Sequence, residues 1–119
     1  MNEITIWHNP QCSKSRAALE ILEYSHAKIE VVKYLESTPS EQEIRDVLKL
    51  LNISPRDLMR KDEELYKELN LKDESNDNAL ISAMAKNPKL IERPVLIKDG
   101  CAIIGRPTER IAEFLVTLV

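Results

Sequence analysis

Glu3-Ile4-Thr5-Ile6-Trp7-His8-Asn9-Pro10-Gln11-Cys12-Ser13 is the stretch that decides how this chain folds. Residues 3–7 alternate and carry β-branched and aromatic side chains, the pattern of a short strand. Asn9-Pro10 is a turn signal. From Ser13 the period changes. Ala18, Ile21, Leu22 and Ser25 fall at i, i+3, i+4 and i+7, with Arg16, Glu20 and Glu23 elsewhere on the cylinder, so a helix begins at or just after Cys12. A second apolar strand follows at Ile29 to Tyr34. Strand, helix and strand joined by short links imply a parallel pair with a right-handed crossover.

Working outward, the middle third reads as helical. Thr38-Pro39-Ser40-Glu41 has the form of a capping box with Pro39 at the first helical position, and Ile44, Val47, Leu48 and Leu51 supply the apolar face. Ser54-Pro55-Arg56-Asp57 starts a short helix; Asp62 to Leu71 and Asn76 to Lys86 read as two more, the last stopped by Pro88. Near the end, Val95 to Lys98 and Cys101 to Ile104 flank Asp99-Gly100, a strong hairpin signal. Gly105-Arg106-Pro107-Thr108-Glu109 then opens a helix carrying Ile111, Phe114, Leu115 and Leu118. The class is α/β: a mixed four-stranded sheet with helices on both faces. The order resembles a thioredoxin or glutaredoxin domain with an all-helical insertion. One domain, 1–119, with the insertion at about 38–90, accounts for the chain.

Composition narrows the function. With 17 basic and 20 acidic residues, net −3, the chain lacks the basic excess of a nucleic-acid or anionic-membrane binder. Two cysteines exclude a disulfide-rich scaffold and a four-cysteine zinc site. His8, Cys12, His26 and Cys101 have no metal-ligand spacing, so no metal is expected. The N-terminus does not read as a signal peptide and no apolar run is long enough to span a bilayer. The expectation is a soluble cytoplasmic protein with no tightly bound cofactor.

Cys12 is the candidate nucleophile. A helix N-terminus presents unpaired N–H groups that stabilise a thiolate, and Lys14 and Arg16 add nearby cations. His8 would assist when protonated. An ordinary thiol is about 3% ionised at pH 7, against about 75% for a pKa near 6.5. Lower basicity takes back roughly six- to tenfold in nucleophilicity, so the net gain is a few-fold and the substrate itself must also be activated. The alternative is that Cys12 is a small buried filler. Ser15 stands where a dithiol oxidoreductase has its resolving cysteine, so Cys12 should form an adduct that an external thiol resolves. Cys101, on a strand beside a tight turn, reads as packing. Arg60, Arg93 and Arg106 each stand beside structural punctuation, and forked guanidinium donors converging on Cys12 would bind an oxyanion. Three ordinary surface arginines is the alternative.

Taken together these residues resemble the glutaredoxin-coupled arsenate reductases of the ArsC type. The resemblance runs through Ile4 to Cys12, Ser15-Arg16, Tyr34-Leu35-Glu36, Leu58-Met59-Arg60-Lys61, Tyr66-Lys67-Glu68-Leu69, Asn87-Pro88, Ile91-Glu92-Arg93-Pro94 and Gly105-Arg106-Pro107-Thr108-Glu109. Cys12-Ser13-Lys14-Ser15-Arg16 is similar to a YfgD-like subgroup, in place of the Cys-Gly-Thr-Ser loop of other members. The resemblance implies a nucleophile at Cys12, an active-site histidine at His8 and oxyanion arginines at Arg60, Arg93 and Arg106. It further implies substrate contacts at Ser15 and Arg16, and a cis-proline at Pro94 on the glutathione-binding side. The implied reaction reduces arsenate to arsenite, with glutathione as reductant and glutaredoxin as partner. Two other functions fit the same residues. One is glutathione-dependent thiol transfer. The other is a regulatory interaction module like the Spx type, whose usual Cys-x-x-Cys switch Ser15 removes here.

Overall fold

The computed structural model describes residues 3–25, 28–98, 100–105, 110–111 and 114. They form two compact units, one drawn from 1–37 and 93–119, the other from Thr38–Glu92.

The first unit holds a four-stranded sheet in the order β2-β1-β3-β4, with β1 at Glu3–Trp7, β2 at Lys28–Val32, β3 at Val95–Lys98 and β4 at Cys101–Ile104. β1 and β2 pair in parallel, Ile4 opposite Ile29 and Trp7 opposite Val32. β3 runs antiparallel to β1, with Leu96 opposite Ile6, and β4 antiparallel to β3, with Ile103 opposite Leu96. This is the mixed sheet that the element order predicts. Alternation puts Ile4 and Ile6 on one face of β1, where they join Ala18 and Leu22 of α1 (Ser13–Tyr24) and Leu96, Ile111 and Phe114 in one core. Gly100 takes the hairpin at φ +76, which glycine adopts without strain. Of the closing helix, Arg110, Ile111 and Phe114 are described and helical. The remaining positions assigned to it, and Asp99, lie outside the described residues.

Cys101 packs, half-buried, against that core. The second strand is shorter than its apolar run: β2 ends at Val32, and the chain turns as the N–H groups of Glu36 and Ser37 both donate to the Lys33 carbonyl.

The second unit is helical: α2 (Glu41–Leu51), α3 (Glu64–Glu68), α4 (Asp77–Lys86) and short 3₁₀ turns at Pro55–Leu58, Leu71–Asp73 and Pro88–Leu90. Its first helix starts two residues later than the Thr38 motif suggests. Ser40 is the N-cap: its Oγ accepts from the Glu43 N–H at 3.1 Å and Glu43 Oε1 accepts from the Ser40 N–H at 3.0 Å. That frame places Pro39 and Ile44, both buried, at the two positions of a hydrophobic staple, which explains why it wins. The run from Asp62 to Leu71 is likewise not one helix, because Asn70 is left-handed at φ 53 and ends it. Arg56 ties this region together, donating to the Tyr66 hydroxyl at 2.6 Å, the Leu71 carbonyl at 2.9 Å and the Glu74 carbonyl. Met59 bridges Ile91, flanked by bonds from the Arg60 N–H to the Leu90 carbonyl and from the Glu92 N–H to the Leu58 carbonyl.

Candidate active site

β1 delivers His8 at its C-terminal end, and the loop Asn9 to Gln11 carries the chain to the start of α1. The loop is held by its own polar groups. Asn9 Oδ1 accepts from the Gln11 N–H at 3.0 Å, and the Cys12 N–H donates to the Asn9 carbonyl at 3.0 Å. Arg16 donates through Nη1 to the Pro10 carbonyl at 2.9 Å. Cys12 is the N-cap of α1, extended at φ −97 and ψ 122, so its side chain stands at the end of the helix with the free N–H groups.

The thiol is half-buried and its pKa lies below the ordinary thiol value. Burial pushes it up and is the largest single influence. It is outweighed by the Ser15 N–H, the Arg93 charge, the Lys14 N–H and a hydrogen bond from Arg93. Lys14 therefore acts through its backbone, and Arg16 is occupied with the loop. The cation that matters to the thiol is Arg93, which precedes Pro94 in a cis peptide bond. Arg93 Nε is buried and has no hydrogen-bond partner among the described residues.

His8 differs from the sequence expectation. It is 5% exposed, and its pKa is lowered by burial first, then by the Lys33 and Arg16 charges. At neutral pH it is an uncharged imidazole and supplies no cation to Cys12. Its Nδ1 lies 2.7 Å from Ser15 Oγ, sharing one hydrogen with it, and the same hydroxyl accepts from the Asn9 N–H at 3.0 Å. Ser15 is fully buried, so the absent second thiol is replaced by a hydroxyl that joins the end of β1 to the first turn of α1. No local periodicity signals this seven-residue partnership. Lys33 has no motif to mark it in the sequence; it follows Val32, whose carbonyl accepts from the His8 N–H at 2.8 Å. Only the parallel register brings it to the histidine.

Pro94 is buried, and its carbonyl accepts from the Gly105 N–H at 2.8 Å. A Cβ on Gly105 would lie 2.9 Å from Leu96 Cδ1 and 3.1 Å from Pro94 Cγ, so this glycine permits the close packing under the proline. Arg60 belongs to the helical unit, where its Nη1 meets Glu63 Oε2 at 3.2 Å and its Nε is buried without a partner among the described residues. Arg106 lies outside the described residues. The structure thus brings together Cys12, His8, Ser15, Arg16, Arg93 and Pro94 in the sheet unit. Such a group can hold a thiolate and offer it an adjacent guanidinium. Among the described residues, no helix is long and apolar enough to cross a membrane.

The chain is 50% identical to YfgD of Escherichia coli over 115 residues, covering 95% of this chain and 97% of that one. It is 48% identical to an arsenate reductase of Neisseria meningitidis over 117 residues, 97% of this chain and all (100%) of that one. Among solved structures, an arsenate reductase from Vibrio cholerae matches with a TM-score of 0.90 at 48% identity, covering 93% of this chain and 96% of that one. The mixed sheet is accordingly the thioredoxin-like one. The ArsC family matches residues 7–114, from the last residue of β1 to the last described residue, and the chain belongs to that family.

Proposed function

We propose that this protein is an arsenate reductase that converts arsenate to arsenite through a Cys12 thiol–arsenic adduct, resolved by glutathione and glutaredoxin. The observation that carries the reading is the Cys12 thiol at the N-terminus of α1, with its pKa lowered beside Arg93. The arsenate reductases at 48% identity over nearly the whole chain support it.

In this scheme the Cys12 thiolate attacks arsenic(V), a sulfur–arsenic bond forms and an oxygen leaves as water. A glutathione sulfur then attacks the Cys12 sulfur, and the electron pair of the sulfur–arsenic bond passes to arsenic. Arsenic(III) departs as arsenite, and the two thiols, now a Cys12–glutathione disulfide, have supplied the two electrons. A glutaredoxin thiol takes the glutathionyl group and returns Cys12 to the thiolate. Arg60, Arg93 and Arg106 bind the oxyanion and draw charge from its centre. Ser15 and Arg16 serve that substrate site from the first turn of α1, as does neutral His8 through Ser15. Pro94 flanks the glutathione. A reducing, cytoplasmic setting suits a reaction that consumes glutathione.

The test is arsenite formation with glutathione and glutaredoxin. Wild type should turn over, Cys12→Ser should give none, and Arg93→Ala should lose about 10²–10³-fold in kcat/KM, as when one oxyanion donor is removed. An ionisable Cys12 that produces no arsenite would sink the reading. Turnover of glutathione mixed disulfides without arsenate would instead favour thiol transfer.

A further inference from the structure

Between Lys61 and Glu74 the helical unit carries six acids, Asp62, Glu63, Glu64, Glu68, Asp73 and Glu74, and three lysines, Lys61, Lys67 and Lys72. By sequence this is an acidic surface. The fold sorts the two signs. One cavity of about 260 Å³ is lined by all three lysines, with Tyr66 and Asn70, and by none of the six acids. Lys61 comes from the turn ahead of α3, Lys67 from α3 itself and Lys72 from the 3₁₀ turn beyond it. Asn70, left-handed at φ 53, turns the chain between the last two. An acid adjoins each lysine in sequence, yet none of the three forms an ion pair among the described residues. Other cavities of this unit differ. One sets Lys49 against Asp57, and another, beside Leu71 and Ala83, has Lys86 as its one charged group among the described residues.

The wall behind these lysines is positive as well. Tyr66 is only 6% exposed, and its hydroxyl accepts from Arg56 Nη1 at 2.6 Å, which leaves the hydroxyl its own hydrogen to donate. Arg56 spends its other bonds on the Leu71 and Glu74 carbonyls, and no carboxylate pairs with it among the described residues. A concave site lined by one sign of charge concentrates its field on ions of the other. We propose that this cavity binds a small organic polyanion, a molecule carrying two or more carboxylate or phosphate groups. The proposal does not rest on the arsenate reading. Lysine is a point charge with rotatable donors, so it takes carboxylate and phosphate alike, and three of them call for more than one negative charge. The volume sets the size: it equals about nine waters at roughly 30 Å³ each, below the roughly 300–1,000 Å³ of sites for larger ligands.

Titration of the full chain with citrate and with 3-phosphoglycerate at low ionic strength, followed by amide shifts in NMR, tests this. Amides between 61 and 72 should shift and saturate, and added salt should weaken binding. Each exposed lysine–anion pair contributes a few-fold, so both compounds should bind about tenfold or more tighter than acetate. The double variant Lys67→Gln, Lys72→Gln should lose about tenfold for both, while Arg93→Ala leaves them unchanged. Binding of either compound on these terms supports the site, and the tighter one tells whether carboxylate or phosphate is its preferred group. Acetate binding as well as citrate would overturn the proposal. So would anion binding that falls in Arg93→Ala and not in the lysine variant, which would place the anion at the thiol. Binding of a glutamate-rich peptide where neither small anion binds would also overturn it, and would make this face a surface for an acidic protein.

Discussion

At the residue scale, the acidity of Cys12 is a contest in which burial opposes ionisation and loses to the Ser15 N–H, Arg93 and the Lys14 N–H. Two of those opponents are backbone groups that any sequence would supply at a helix N-terminus. Arg93 is the one a substitution can remove. Arg93→Ala should therefore raise the pH midpoint of Cys12 alkylation, because burial is then opposed by the N–H groups alone. A midpoint unmoved by the substitution would assign the shift to the backbone alone. The linkage to stability has a definite sign. A thiol that ionises more readily when folded stabilises the fold fully above its unfolded pKa, and that contribution is lost as pH falls through the folded value. His8 works in the opposite range. Its folded pKa is depressed, so the unfolded chain takes up the proton first, and acidification below the ordinary imidazole value favours unfolding.

Elements carry a different kind of constraint. The turn from β1 into α1 is readable from its residues, and so is the β3–β4 hairpin. The Pro94–Gly105 contact is not, because it joins the start of β3 to the residue just after β4. Gly105 is buried without needing a left-handed backbone; space is what limits it. Gly105→Ala would press its methyl against Leu96 and Pro94, and should cost about 1–3 kcal/mol, the usual penalty for overpacking a core. Urea unfolding would measure it, and an unchanged midpoint would show that Leu96 gives way freely. The start of α2 shows how two overlapping motifs compete. Thr38-x-x-Glu41 and Ser40-x-x-Glu43 both fit a capping box, and the second prevails because it also buries Pro39 and Ile44 at staple positions.

For the whole molecule, the consequence lies in the sheet order. β1, the central carrier of His8 and Cys12, is paired on one side by β2 from the first third of the chain and on the other by β3 from the last. A chain cut after Glu92 keeps Cys12 and the entire helical unit but loses Arg93, β3 and β4. Such a fragment should lose the sheet by circular dichroism, and its Cys12 should titrate as an ordinary thiol. A fragment that kept a lowered thiol pKa would show that β1, α1 and β2 suffice. The net charge of −3 also reads differently at this scale. It describes the surface as a whole and says nothing of the thiol, whose surroundings are set by Arg93 and the N–H groups of α1.

The sequence alone determined the strands, the hairpin and the start of α1, and it singled out Cys12 as the candidate nucleophile. Each of these follows from side-chain period or turn chemistry within a few residues. It also suggested arginines as a class, since their guanidinium groups suit an oxyanion. Tertiary structure decided which groups act on Cys12. Register put Lys33 beside His8, the corner between β1 and α1 put Ser15 on the imidazole, and the β1–β3 pairing put Arg93 rather than Lys14 or Arg16 in electrostatic command of the thiol. Those contacts depend on where distant segments meet in space, and charge interactions fall off with that separation rather than with position along the chain.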